Sequence, residues 1–356
     1  MATNITNTFA SLYLTAHLPE KIYVGTDQPS IEVSIYVDSF KVFSSIYYPY
    51  NQVVCVQNIR SIVEDAMVEQ QLDIALLQIE AMETDGSSSF VDDVKVIYSR
   101  FRTTLGSESF LAQKFLTTRK SALVPRNGQV NLNNYTQANT QGSNYALIYY
   151  SVPYIPGVAL QYNNVMPKIQ SSTERIVTVN LTHAYFKGIV DTAMSTDCKV
   201  LGVEYHIGSR QFNIFFTDEQ PTETFHFLNA FNVSEIAYLY GTTTVKTDVS
   251  RNEAICGKRT QLYDETVTVK HEVETAPMTY DEAMWFSQLF TSKDVNRKTS
   301  DRMSAAVLIS DITSEVTDSN KEMVKLKFSW KYAAGIEYTE DQNSDLFMNT
   351  LYGGQQ

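Results

Sequence analysis

Residues 31–38 read Ile31-Glu32-Val33-Ser34-Ile35-Tyr36-Val37-Asp38, apolar at every odd position and mostly polar between. Successive side chains of a strand point to opposite faces, so this stretch puts Ile31, Val33, Ile35 and Val37 on a core and the others outward. A helix would scatter the same four around its circumference. Near the other end, Val324, Leu326, Phe328 and Trp330 alternate with Lys325, Lys327, Ser329 and Lys331. That spacing predicts a second half-buried strand, whose charged outer face would discourage edge-to-edge pairing.

Working outward, residues 9–43 read as strands. Tyr47-Tyr48-Pro49-Tyr50-Asn51 makes a turn and residues 53–56 a short apolar strand. Asn58 is placed as the N-cap of a helix over 58–70, with Ile59, Ile62, Val63, Ala66 and Met67 at helical spacing. Strands over 72–82 and 90–101 flank the polar break 84–89, which predicts a hairpin. Residues 126–144, rich in Asn, Gln and Gly, read as a linker or long exposed loop. Beyond it, strands are expected over 146–150, 158–162, 175–188, 200–207 and 211–217, the last two joined at Gly208-Ser209-Arg210. A second helix is marked near Asp281 by the capping pair Thr279 and Glu282 and the stripe Ala283, Phe286, Leu289, Phe290. The tail after Gly335 is polar and acidic, of the kind expected to be mobile.

The expected fold class is therefore all-β, mainly antiparallel β-sandwich domains with two or so short α-helices. The expected division is a β-rich domain over 1–125 with one covering helix, the linker 126–144, and a β-rich domain over 145–356 with one capped helix.

The 356 residues include 22 Tyr and 18 Phe, and aromatics make up 12% of the chain. That composition suits both pleated surfaces and interfaces. A formal net charge of −12 argues against general nucleic-acid binding, which needs a positive footprint. The densest basic region holds Lys95, Arg100, Arg102, Lys114, Arg119, Lys120 and Arg126, scattered enough to read as a solvated strand face. The N-terminus lacks the pattern of a signal peptide, and no run is long enough for membrane insertion, so the chain is expected to fold where it is made. Cys55, Cys198 and Cys256 are too few and too far apart for a disulfide framework.

Signatures of chemistry are sparse. There is no phosphate loop followed by Lys, no nucleophile-elbow pentapeptide and no His-Glu-X-X-His. Asp191, Asp197, Cys198, Glu204 and His206 form the nearest metal-like grouping, at a spacing that fits no ligand pattern. Asp92-Asp93 and Asp218-Glu219 are adjacent pairs, whose side chains point to opposite faces if they lie on strands, unlike the facing carboxyls of a glycosidase. His17, His183, His206, His226 and His271 lie in or beside strand-like runs, and a serine–histidine–acid triad is recognised only by geometry. The expectation is a protein that is not an enzyme and holds no cofactor or metal.

Over residues 225–332 the order of parts is distinctive: Phe227-Leu228-Asn229-Ala230-Phe231, then Tyr240-Gly241, then a Lys/Arg-rich stretch, the helix near 278–290, and Phe328-Ser329-Trp330-Lys331-Tyr332. This succession resembles virion structural proteins of the tail or baseplate, distal-tail-like, from phages and prophages of gut Bacteroidetes. Asn232 stands where that pattern tends to have Gly. The resemblance implies a homo-oligomeric ring or other multi-copy assembly with further virion proteins, built in the bacterial host cytoplasm, and it carries over no catalytic residues. The interface or recognition candidates are Tyr47, Tyr48, Tyr50, Tyr149, Tyr150, Tyr154, Phe231, Trp285 and Phe286. The alternative is a glycan-binding or adhesin-like module using the tyrosine clusters, and a hydrolase with an unrecognised site stands third.

Overall fold

A computed structural model describes residues 3–83, 86–136, 144–152, 155–163, 165, 175–194, 197–256, 259–298, 304–313 and 323–334. The fold is all-β, dominated by antiparallel sheets, with four α-helices among the described residues. The chain forms two compact units that interleave along the sequence. The first comprises Met1–Ser121, Val130–Ile214 and Asn229–Ser234, and the second Ala122–Gln129, Phe215–Leu228 and Glu235–Gln356. The division expected at 126–144 is thus replaced by several chain crossings.

The first unit opens with β1 (Asn4–Ile5), β2 (Leu12–Leu14), β3 (Lys21–Gly25), β4 (Ile31–Val37), β5 (Phe40–Tyr47), β6 (Val53–Gln57), α1 (Ile59–Glu69), β7 (Ile74–Glu83), β8 (Ser88–Ile97) and α2 (Ser107–Gln113). One sheet has the order β1-β3-β6 and another β2-β8-β7-β4-β5, antiparallel except for β2 against β8. The alternation in β4 buries Ile31, Val33, Ile35 and Val37, each at most 1% exposed. They share a core with Ile22, Val24 and Val56 of the other sheet and with Ile59, Val63 and Met67 of α1. The helix therefore caps the sandwich where its spacing said it would. Asn58 differs from expectation. Its side chain caps nothing and its backbone is left-handed at φ 62°, while its carbonyl accepts from the Ile62 amide at 3.1 Å.

After β9 (Ser121–Pro125) comes β10 (Gln129–Thr136), lying within the stretch read as a linker. Composition misled here because Asn131, Asn133 and Asn134 are buried with partners. The Asn133 side chain donates to the Ser234 carbonyl at 3.0 Å and accepts from the Thr178 hydroxyl at 2.7 Å. A buried amide is tolerated when bonded in this way. Residues 137–143 lie outside the described residues.

The unit continues with β11 (Asn144–Val152), β12 (Ile155–Tyr162), β13 (Arg175–Thr182), α3 (His183–Ala193), β14 (Lys199–Ile207) and β15 (Arg210–Thr217). The strand expected over 175–188 stops at Thr182, whose hydroxyl accepts from the Tyr185 amide at 3.2 Å and starts α3. His183, Phe186 and Val190 then fall on one buried helical face. The β14–β15 hairpin turns at Gly208, φ 60°, as its sequence suggested.

The second unit is built on β16 (Glu223–Leu228), β17 (Ser234–Leu239), β18 (Gly241–Cys256), β19 (Arg259–Thr275), α4 (Tyr280–Thr291), β20 (Val295–Lys298), β21 (Ser304–Ser310) and β22 (Lys327–Tyr332). Their order is β17-β16-β20-β21-β22-β19-β18. Ala283, Phe286 and Leu289 of α4 pack with Phe225, Phe227, Phe328 and Trp330 of the sheet. Thr279 caps α4 as its sequence indicated, accepting from the Glu282 amide at 3.3 Å. β22 lies inside the sheet, between β21 and β19, so its lysines guard no edge. Lys325 and Lys327 pair instead with Glu274, at 3.1 and 3.0 Å. The tail after Gly335 lies outside the described residues.

Candidate interaction surface

β5 is the last strand of its sheet among the described residues, and beside the exposed Lys41 and Ser44 it leaves one large apolar residue open on each side, Phe40 opposite Val37 and Ile46 opposite Glu32. Phe40 is 66% exposed and Ile46 63%. The hairpin that starts it is tight, with Asp38 and Ser39 both at positive φ (48° and 71°). This handedness matches strand twist and fixes the register of β5 on β4. Beyond β5, Asn51 and Gln52 repeat the device at φ 51° and 64°, and Tyr50 and Val53 exchange backbone bonds of 3.0 and 3.1 Å. Two rigid turns therefore bracket the edge. The second displays Tyr48, 79% exposed, and Tyr50, 82% exposed.

Between β5 and α1 runs a groove of about 840 Å³, lined by Phe40, Val42 and Phe43 on the strand and by Ile62, Asp65 and Glu69 on the helix. On the outer face of the hairpin, Glu32 accepts from Ser44 at 2.5 Å and from Lys41 at 3.4 Å, and its carboxyl is held below its ordinary value by the Ser44 hydroxyl first and Lys41 next. An edge strand presents a row of backbone donors and acceptors able to pair with another chain. Together with apolar side chains on firm turns, it is suited to association.

Of the other candidates, Tyr47 is half-buried against the first core. Tyr149 is half-buried and donates its hydroxyl to Glu204 at 2.9 Å. Tyr150, Phe231, Trp285 and Phe286 are core residues, at 3%, 0%, 4% and 2% exposure, and present no surface. Their apolar bulk was read as interface area, but it fills interiors. Tyr154 lies outside the described residues. Among the described candidates the exposed ones are Tyr48 and Tyr50, beside the half-buried Tyr47, and the strand that leads to them also exposes Phe40 at its start and Ile46 near its end. No local signal marked those two, because Phe40 pairs with the core-facing Val37 and Ile46 with the outward Glu32, and their exposure follows from β5 ending its sheet.

The ionisable groups are mostly committed to structure. Lys187 binds Asp191 at 2.9 Å and Asp197 at 3.3 Å, and His206 stacks on Tyr145 with ring centroids 4.3 Å apart. Among the described residues no three His, Cys, Asp or Glu side chains converge on a metal position. His17 meets the Ser107 hydroxyl at 3.1 Å, but its other nitrogen faces the Thr103 carbonyl at 3.1 Å, and Ser107 also accepts from the Leu14 amide at 3.0 Å. These bonds tie β2 to the start of α2. The basic region is not one strand face, because Lys114, Arg119 and Lys120 follow α2. Among the described residues no helix is long and apolar enough to cross a membrane. Cys55 and Cys198 are free thiols.

Sequence reasoning missed a charged cluster inside the second unit. Arg297 donates to Glu223 at 2.6 Å and to the Tyr332 hydroxyl at 2.6 Å, and its guanidinium lies 5.0 Å over the Trp330 ring. Burial raises the Glu223 carboxyl above its ordinary value despite Arg297. For Arg297 burial acts downward, but Glu223 and Tyr332 outweigh it, and its value rises. Parity along β20 and β22 could have placed these side chains inward, but only the pairing of strands distant in sequence brings them together.

No protein-family model and no curated protein matches this chain. Among solved structures, the fibronectin(III)-like modules of Clostridium thermocellum CbhA align over 61% of this chain and 94% of theirs, at 8% identity and a TM-score of 0.17. The full extracellular region of plexin A4 aligns over 92% of this chain and 36% of its own length, at 8% identity and a TM-score of 0.22. Likenesses this slight transfer nothing about activity or partners to this chain.

Proposed function

We propose that this protein is a non-enzymatic, multi-copy structural subunit of a phage or phage-like particle, of the tail or baseplate type, acting through subunit–subunit interfaces. The supporting observation is the β5 edge, where Phe40, Ile46, Tyr48 and Tyr50 are each more than 60% exposed and held by two tight turns. Exposing large apolar groups on a strand whose outer edge is unpaired carries an aggregation hazard unless a partner covers them. A repeating neighbour supplies that cover, and repetition around a symmetry axis closes the assembly. The order of parts over residues 225–332 supports the particle class. Electron microscopy and light scattering of the purified chain test the reading. Rings or other regular multimers are expected, and a monomer that joins no virion fraction would contradict it.

A second reading, glycan recognition, is favoured by the exposure of Tyr48 and Tyr50, whose ring faces could stack on a sugar. A glycan array with the Tyr48→Ala/Tyr50→Ala variant separates the two. Specific binding that the variant loses supports the second reading, whereas its absence leaves the tyrosines to the interface.

A further inference from the structure

We infer that the first unit carries a binding cleft for a small anionic ligand with an apolar or aromatic body. This site is separate from the proposed interface and does not depend on it. The cleft has a volume of about 570 Å³ and is bounded by α2, the segment that follows it, and the start of β15. Its floor is aromatic. Phe231 is fully buried and Phe110 7% exposed, with ring centroids 5.7 Å apart and planes 31° from parallel. Phe101, 46% exposed, leans over both at 6.3 and 6.4 Å.

The rim of the cleft is cationic. Lys114, Arg119 and Lys120 line it, and none of its lining residues is Asp or Glu. In a chain of net charge −12 this is a local reversal of sign. Low-dielectric walls focus such a field into the cleft and raise the local concentration of anions. The volume falls in the range that holds drug-sized ligands, which rest on apolar walls and are oriented by a few polar groups. Here Phe101, the exposed ring of the three, would contact a ring or alkyl body while the charged rim met a carboxylate, sulfonate or phosphate. An uncharged body would gain the first contact and not the second. A phosphate without a body would gain only the second.

The test uses the full chain and two fluorescent probes that share an aromatic frame, anionic 8-anilinonaphthalene-1-sulfonate and uncharged N-phenyl-1-naphthylamine. Saturable binding of the sulfonate at one site per chain is expected. Lys114→Gln/Lys120→Gln, at exposed positions, should weaken it about fivefold while changing the uncharged probe by less than about twofold. Gln113→Glu adds a negative charge at the same rim without removing a lysine, and should weaken the sulfonate selectively as well. Phe101→Ala should weaken both probes. The inference is overturned if the sulfonate shows no saturable binding, if both charge variants bind it as the parent does, or if they lose both probes equally.

Discussion

The imidazole of His271 lies flat on the indole of Trp330, ring centroids 3.8 Å apart and planes 5° from parallel, across the register that pairs β19 with β22. Burial, reinforced by the charge of Arg297, holds the His271 pKa down to about 4. In the unfolded chain it is about 6.5. The unfolded state thus binds the extra proton on acidification, so the stability due to neutral His271 is complete above about pH 6.5 and is lost as pH falls toward 4. His271→Phe keeps a flat ring on Trp330 and removes the titration. Between pH 7 and 5 the parent should lose about 1–2 kcal/mol more than the variant, once solvent screening is allowed for, as read by urea denaturation. Parallel pH profiles would count against the neutral stack.

Arg297→Met should destabilise the second unit by about 3–5 kcal/mol, because Glu223, 6% exposed, keeps a carboxylate with its bonded cation removed. Adding Glu223→Gln should recover much of that loss. A double-mutant cycle from chemical denaturation measures the coupling, and strictly additive effects would show that the two groups act independently.

Asn232 sits at φ 58° in the turn between Asn229 and Val233, and its side chain donates to the Leu72 carbonyl at 3.1 Å. Glycine enters this left-handed region freely, so Asn232→Gly should preserve the turn and lose only the side-chain bond, about 0.5–1.5 kcal/mol. Asn232→Val adds the steric cost of a branched side chain, a further 1–2 kcal/mol or so. Equal melting temperatures for the two variants would contradict that ranking.

The period-two pattern in 31–38 was legible because β4 buries one face. That of 324–331 held only from Lys327, where β22 begins, while Val324 makes an isolated bridge to Met278. The Thr279 cap was legible because a hydroxyl three residues before Glu282 is a local signal. The burial of β10 was not legible, since the partners of Asn133 come from Thr178 and Ser234, distant in sequence. The candidate surface was half legible. Tyr48 and Tyr50 were singled out by clustering, whereas recognising Phe40 and Ile46 required knowing that β5 ends its sheet. Phe231, Trp285 and Phe286 show the converse, because an aromatic serves a core and an interface equally well until burial is known.

If association runs through the β5 edge, Phe40→Ser/Ile46→Lys should leave thermal stability within about 0.5 kcal/mol, as expected of exposed positions. The most direct measurement is sedimentation velocity of the parent and this variant over a concentration series reaching roughly 100 μM. The parent should form discrete multimers whose share grows with concentration, while the variant stays monomeric. A parent that remains monomeric throughout, or a variant that assembles as the parent does, would contradict the assignment of β5 as the assembly interface.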